Sequence, residues 1–187
     1  MTAGSAAGGP LLVLDTPALH HFALADRLDQ FHDLLIDWEP WSTTVVMGEL
    51  RERAGLLGQS RLLSAVGLEW LRISGLDDSM DEVRKFVEWT RRVGDKKDPN
   101  LGEASVFALA EVRSATAITD EDDAKRVAQK HGLDVHGTLW LLAAGCRAGK
   151  MTETGAANLV DLLRSTGHKL PCTGSEFRSW CKGHGLL

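Results

Sequence analysis

No apolar run in this chain approaches the roughly 20 residues that cross a bilayer. Its start, MTAGSAAGGP, has no positively charged region ahead of an apolar stretch, so no leader is expected and a cytoplasmic location is. Cysteine is scarce: Cys146, Cys172 and Cys181 are an odd number without the density or spacing of a disulfide framework, which suits a reducing compartment. Neither GxGxxG nor GxxxxGK followed by Ser or Thr occurs, which removes the usual support for a dinucleotide cofactor or a P-loop. A positive excess is missing too, since 21 Lys and Arg against 26 Asp and Glu leave a net charge of -5, which counts against a broad grip on nucleic acid. The charge is uneven: acids cluster at Asp77, Asp78, Asp81 and Glu82, while Arg51, Arg53 and Arg61 follow Glu49 and leave room for a local basic rim or a basic partner.

What is present suits one globular domain, because 187 residues that are 43% hydrophobic can bury a sizeable core. Residues 1–10 are small and Gly-rich and are expected as a loose tail. LLVL, from Leu11 to Leu14, is a short apolar strand ending at Asp15, and Pro17 then suits the first turn of a helix. Helices are predicted over Ala18–Ala25 and Arg27–Ile36, with Pro40 breaking the pattern, and a short one is predicted up to Arg53, capped by Ser42 or Thr43. A second strand is expected at Leu68–Ile73 and a helix at Met80–Val93 capped from Asp77 to Ser79, followed by the loop GDKKDPN. Next come a helix at Leu101–Arg113, a third strand in ATAIT, a helix stopped by Gly132 and a minimal strand near Leu133–Val135. Three further helices are predicted: Thr138–Ala148, Thr152–Thr166 and Gly174–Lys182, the last capped by Thr173 or Ser175. Alternating short strands and helices imply a mostly parallel sheet flanked by helices, with ligands bound beyond the carboxyl ends of its strands.

Four carboxylates recur where an apolar strand ends or a helix begins: Asp15, Glu49, Glu103 and Asp120. Acids that converge in a crevice repel one another unless a cation lies between them, and oxygen-only ligation is what Mg²⁺ or Mn²⁺ prefers. Each acid alone has a plainer reading. Asp15 before a helix is a natural cap, Glu103 in a first turn is favoured by the helix dipole, and Glu49 can pair with Arg53 at i,i+4. The run Glu121 to Asp123 can be a solvated face.

In their order and setting, these residues resemble the PIN-domain family, many of whose members are Mg²⁺- or Mn²⁺-dependent ribonucleases, toxins of toxin–antitoxin pairs among them. The resemblance runs from about Leu11 to Gly167 and is carried by Asp15 with Thr16, the glutamate of VVMGEL, GEASVFALA, and AITDEDDAKRVAQKHGLDVHGTLWLLAAGCRAG. It implies an α/β fold, a three-layer α/β/α sandwich around a short, mostly parallel sheet. The domain would span residues 11–167 with a helical insert at about 56–100, and residues 168–187 would form a C-terminal helical extension. It further implies an endoribonuclease that hydrolyses RNA phosphodiester bonds, with Asp15, Glu49, Glu103 and Asp120 as the catalytic and metal set. Asp123 or Asp122 would tune the water shell, and Thr16 and Thr119 would bond that shell or the substrate phosphate. Partners on this reading are RNA, an antitoxin-like protein and a second copy of the chain. The rival reading is a catalytically weak PIN-like module that works by protein–protein contact; Glu103, where many relatives carry aspartate, and the acidic net charge favour it.

His168, Cys172, Cys181 and His184 form a second constellation with the chemistry of a Zn²⁺ site but a spacing irregular for a zinc finger. Of six tryptophans, most are expected in the core or an interface. His20 and His21 have no evident partner in the sequence and are expected to face solvent.

Overall fold

The computed structural model describes residues 9–57, 59–75, 79–94 and 99–187. Most of the expected tail, the Asp77 cap and much of the GDKKDPN loop lie outside the described residues.

LLVL forms β1 (Leu11–Leu14), buried because an apolar strand with neighbours on both sides has no face for water. Thr16–Leu24 (α1) follows, with Asp15 as its cap and Pro17 in the first turn, and Leu28–Leu35 is α2. The sequence reading misses the next element, β2 (Glu39–Thr43), because it contains Pro40. The proline is tolerated because β3 (Arg72–Ser74) pairs with β2 only from Trp41 onward. At Pro40 the strand has just one neighbour, Leu12 of β1, and behaves there as an edge. Thr44–Leu57 is α3, four residues longer than expected, and a 3₁₀ turn at Ser60–Ala65 leads to β3. The second expected strand is therefore the third, and it starts later than predicted.

Met80–Val93 (α4) and Leu101–Arg113 (α5) fall where the sequence places them, with Ser79 capping α4 by accepting from the Glu82 N–H at 3.0 Å. Then follow β4 (Thr116–Ile118), α6 (Asp122–Lys130), β5 (Val135–His136), α7 (Thr138–Arg147), α8 (Glu153–Ser165) and α9 (Phe177–Gly183).

All strand pairs are parallel, in the order β3-β2-β1-β4-β5, and helices flank the sheet in an α/β/α sandwich. The order reverses between β1 and β4, so the switch-point crevice opens just beyond Leu14 and Ile118. Helix α5 packs on β1, β2 and β4 and carries α4 on its side. It comes close because its buried face is largely Ala104, Ser105, Ala108 and Ala110, with Phe107 filling the gap between layers. Trp89 of α4 is buried edge-on to Phe107, and its indole N–H donates to Glu111 at 2.8 Å. Buried Glu82 accepts from Ser74 and Arg113, both at 3.1 Å, and so ties β3 and α5 to α4. Trp89 alone among the tryptophans is buried; the other five are half-exposed. All three cysteines are free. Among the described residues no helix is long and apolar enough to cross a membrane.

Candidate active site

Asp15 follows β1 and Thr119 follows β4, the two strands that meet at the switch point. Asp15 is 1% exposed. Its Oδ1 accepts the Thr16 backbone N–H and its Oδ2 the Thr119 hydroxyl, both at 2.7 Å. Burial first, then the negative charge of Glu103, holds its carboxyl well above the ordinary range; the bonds from Thr119 and Thr16 oppose this, and Glu49 adds to the rise. Asp15 is therefore both a helix cap and a buried acid among like charges.

Glu49 of α3 accepts the Thr16 hydroxyl at 2.6 Å. Among the described residues it forms no ion pair with Arg53, so the surface-pair reading is overturned. Its carboxylate lies against the start of α5, where a Cβ on Gly102 would stand 2.6 Å from Oε1. Only a residue without a side chain leaves that space, and the next residue is Glu103. Two buried hydroxyls brace this corner, Thr43 Oγ1 and Ser105 Oγ at 2.7 Å, which join the end of β2 to α5.

Asp120 follows Thr119 and turns to the start of α7, accepting from the Thr138 backbone N–H at 2.8 Å and from its hydroxyl at 2.5 Å. A Cβ at Gly137 would come within 2.7 Å of Asp120 Oδ1, so glycine at 137 leaves the room in which Asp120 meets Thr138. His168 Nε2 stands 3.0 Å from Asp120 Oδ2, near enough for an ion pair but off the line of a hydrogen bond. Burial alone would raise the Asp120 carboxyl; nearby His168 and the two Thr138 bonds outweigh it and hold the group below its ordinary value. Asp15 and Asp120 thus have opposite environments.

A cleft of about 520 Å³ is lined by Glu49, Glu103, Asp120, Asp123, Arg53 and Lys169 among others, while buried Asp15 does not line it and adjoins it through Thr16. Arg53 and Lys169 supply the basic rim; Arg51 and Arg61 do not line the cleft. Asp123 stands at its outer edge, 81% exposed and paired with Arg126, while Asp122 pairs with Lys125 at 3.0 Å. Thr16 and Thr119 are buried with their hydroxyl protons directed at Glu49 and Asp15.

The histidines depart from expectation. His20 is buried with Nδ1 unpartnered among the described residues, and half-buried His21 bonds Thr166 Oγ1 at 2.8 Å and stacks on His168 with centroids 4.2 Å apart. Burial, reinforced by His168 and His20, lowers the His21 pKa to about 3. The zinc reading fails because its members separate: His168 faces Asp120 and His21, whereas His184 stacks on Trp180 and bonds its carbonyl. Sequence reasoning missed Lys169 and the role of His168. Both lie far along the chain from the acids, and only the return of the chain after α8 brings them there.

The donor chemistry fits a hard divalent cation, being an oxygen-only set of like charges with a buried carboxyl that resists ionising. In the arrangement described, no group of three or more His, Cys, Asp or Glu side chains forms a closed ligand cluster among the described residues. In this arrangement Glu49 accepts from Thr16, and Asp120 from Thr138.

No curated protein matches the chain. The family model DUF3368, described as a PIN domain, matches residues 11–172. PIN domains are generally nucleases that bind RNA and typically use divalent metals. With that match spanning nearly the whole sheet-and-helix unit, and with acids at its switch point, the chain belongs to the PIN-domain family.

Proposed function

We propose that the protein is a metal-dependent endoribonuclease hydrolysing RNA phosphodiester bonds in the cleft between β1 and β4. The observation that carries this reading is Asp15: a buried carboxyl held above its ordinary pKa with like-charged Glu103 and Glu49 beside it, next to a cleft that those two glutamates line together with Arg53 and Lys169. A purely structural cap has no need of such neighbours, and leaving them together costs stability.

Asp15, Glu49, Glu103 and Asp120 are the residues to hold Mg²⁺ or Mn²⁺, with Asp123 at the outer edge. When bound, such an ion makes water more acidic and offsets the charge that builds on phosphoryl oxygens. The protein's own groups do the rest. Thr119 and the Thr16 N–H orient the two oxygens of Asp15, and the Thr16 hydroxyl orients Glu49. Thr138 and His168 keep Asp120 ionised. Arg53 and Lys169 attract the RNA phosphates to a chain whose net charge is otherwise unfavourable. A toxin role, an antitoxin that covers the cleft, and homodimerisation extend this proposal.

The test is cleavage of a mixed RNA pool with Mn²⁺ or Mg²⁺ by the native chain and by Asp15→Asn. Metal-dependent cleavage that disappears in a folded variant supports the reading. No cleavage with either metal by a well-folded native chain transfers it to the protein–protein interaction module.

A further inference from the structure

A second groove, about 540 Å³, adjoins the acid cleft and shares Asp120 and Lys169 with it. Its walls are aromatic. Trp140 of α7 stacks on His136 with centroids 4.1 Å apart and planes 7° from parallel, and Trp180 of α9 stacks on His184 at 3.9 Å and 21°. Trp38 meets Trp140 edge-on at 5.9 Å and fixes the orientation of its ring. Both lining tryptophans are half-exposed, whereas Trp89 in the same protein is fully buried, so the fold can bury a tryptophan and leaves these two at a groove. Of the two lysines present, Lys125 is neutralised by Asp122, while exposed Lys169 has no ion pair among the described residues and stands at the junction with the acid cleft.

Flat aromatic rings in a groove, with a cation where it meets a phosphodiester site, match one occupant. We infer that the groove is a stacking subsite for a base of single-stranded RNA next to the bond being cut, with Trp140 and Trp180 taking the base and Lys169 its phosphate. Base–aromatic stacking tolerates every base because each has a π-face, so the subsite selects unpaired RNA rather than a sequence. A duplex keeps its bases in the stack and cannot use the groove. Trp180 and His184 lie beyond residue 172, where the family match ends, so this wall is built by the chain's own C-terminal helix. The inference rests on the proposed nuclease reading for its RNA, yet it concerns binding and is separable from cleavage.

The experiment measures affinity of the full chain for a fluorescently labelled eight-nucleotide single-stranded RNA by anisotropy. Ca²⁺ replaces Mg²⁺, and the oligomer is checked to remain intact. Trp180→Ala should weaken binding about tenfold, and Trp180→Phe should restore most of it, as loss of one base stack predicts. Replacing single bases with abasic riboses should weaken native binding by a similar factor at one position, and that position should have no effect in Trp180→Ala. Circular dichroism checks that α9 persists. Lys169→Gln, on the exposed rim, provides a variant independent of α9 packing and should reduce the slope of log affinity against log salt by about 0.7. A folded Trp180→Ala chain that binds and cleaves like the native one overturns the subsite while leaving the nuclease reading intact. Base-dependent binding without cleavage in Mg²⁺ or Mn²⁺ keeps the subsite and removes the nuclease. A native chain that binds no RNA overturns the subsite, and capture of a peptide by the groove in its place would assign it to a protein partner.

Discussion

The Thr119 hydroxyl donates to Asp15 Oδ2 at 2.7 Å, joining residues 104 positions apart at the ends of two adjacent parallel strands. Both groups are buried, so neither has water as a substitute partner. Thr119→Val keeps the shape and removes the donor. Stability should fall by about 1–3 kcal/mol in denaturant unfolding, and the Asp15 carboxyl should rise further, since the Thr119 bond is the largest influence pulling it down. Unchanged stability would mean that the hydroxyl is replaceable.

Asp15 also sets a pH dependence. Its folded pKa lies above the ordinary 3.8, so the stability it contributes is full below that pH and is lost as pH rises through the folded value. Asp15→Asn removes this loss, and the metal-free variant should gain on the native chain as pH climbs from about 4 to 7. Saturating Mn²⁺, at about 100 times its dissociation constant, should stabilise the native chain by about 2.7 kcal/mol and the variant far less. Denaturant midpoints with and without metal across that pH range provide the check; equal metal stabilisation of both chains would move the cation elsewhere.

His21 acts in the opposite direction. Its folded pKa of about 3 lies below the ordinary 6.5, so its contribution is full above 6.5 and is lost as pH falls towards 3. His21→Phe, which retains an aromatic ring to stack on His168, should flatten the acid limb of the stability profile by about one proton. An imidazole that titrates near 6.5 by NMR in the folded chain would contradict this environment.

Gly102→Ala separates site geometry from folding. The nearest atoms to the added methyl belong to the end of the flexible Glu49 side chain, 2.6 Å away, which can swing aside. Stability should stay within about 1 kcal/mol of the parent, because Ala is the better helix former and offsets the displacement. Nuclease activity should fall at least tenfold if Glu49 belongs to the site. Retained activity would exclude Glu49 from it.

Gly137→Ala is the harsher counterpart. Asp120 is pinned by two Thr138 bonds, so a methyl 2.7 Å from Oδ1 has no cheap escape. Loss of about 1–3 kcal/mol is expected from the broken bonds, and lost activity should accompany it. A neutral substitution on both measures would show that the Asp120–Thr138 contact is dispensable.

Local chemistry alone was enough for β1 with its capping Asp15, for α4 and α5 at their observed bounds, and for the parallel α/β order. Those features depend on neighbours in sequence: periodicity, caps, and apolar runs too short for anything but buried strands. Asp15, Glu103 and Asp120, too, stood out by their place at strand and helix ends, whereas Glu49 lies in the second turn of α3 rather than at its start. What local chemistry could not supply was pairing between distant segments. Pro40 argues against a strand until β3 is seen to leave that residue at a local edge. His168 pairs as plausibly with thiols as with anything else until the chain returns from α8 and lays it on Asp120 and His21. His20 and His21 look solvated until packing buries the first and half-buries the second, against Thr166 and His168. Gly102 and Gly137 read as ordinary glycines until a carboxylate from another element occupies the space where their Cβ would be. Burial and like-charge proximity, which raise the Asp15 pKa, exist only once the end of β1, helix α3 and the start of α5 come together.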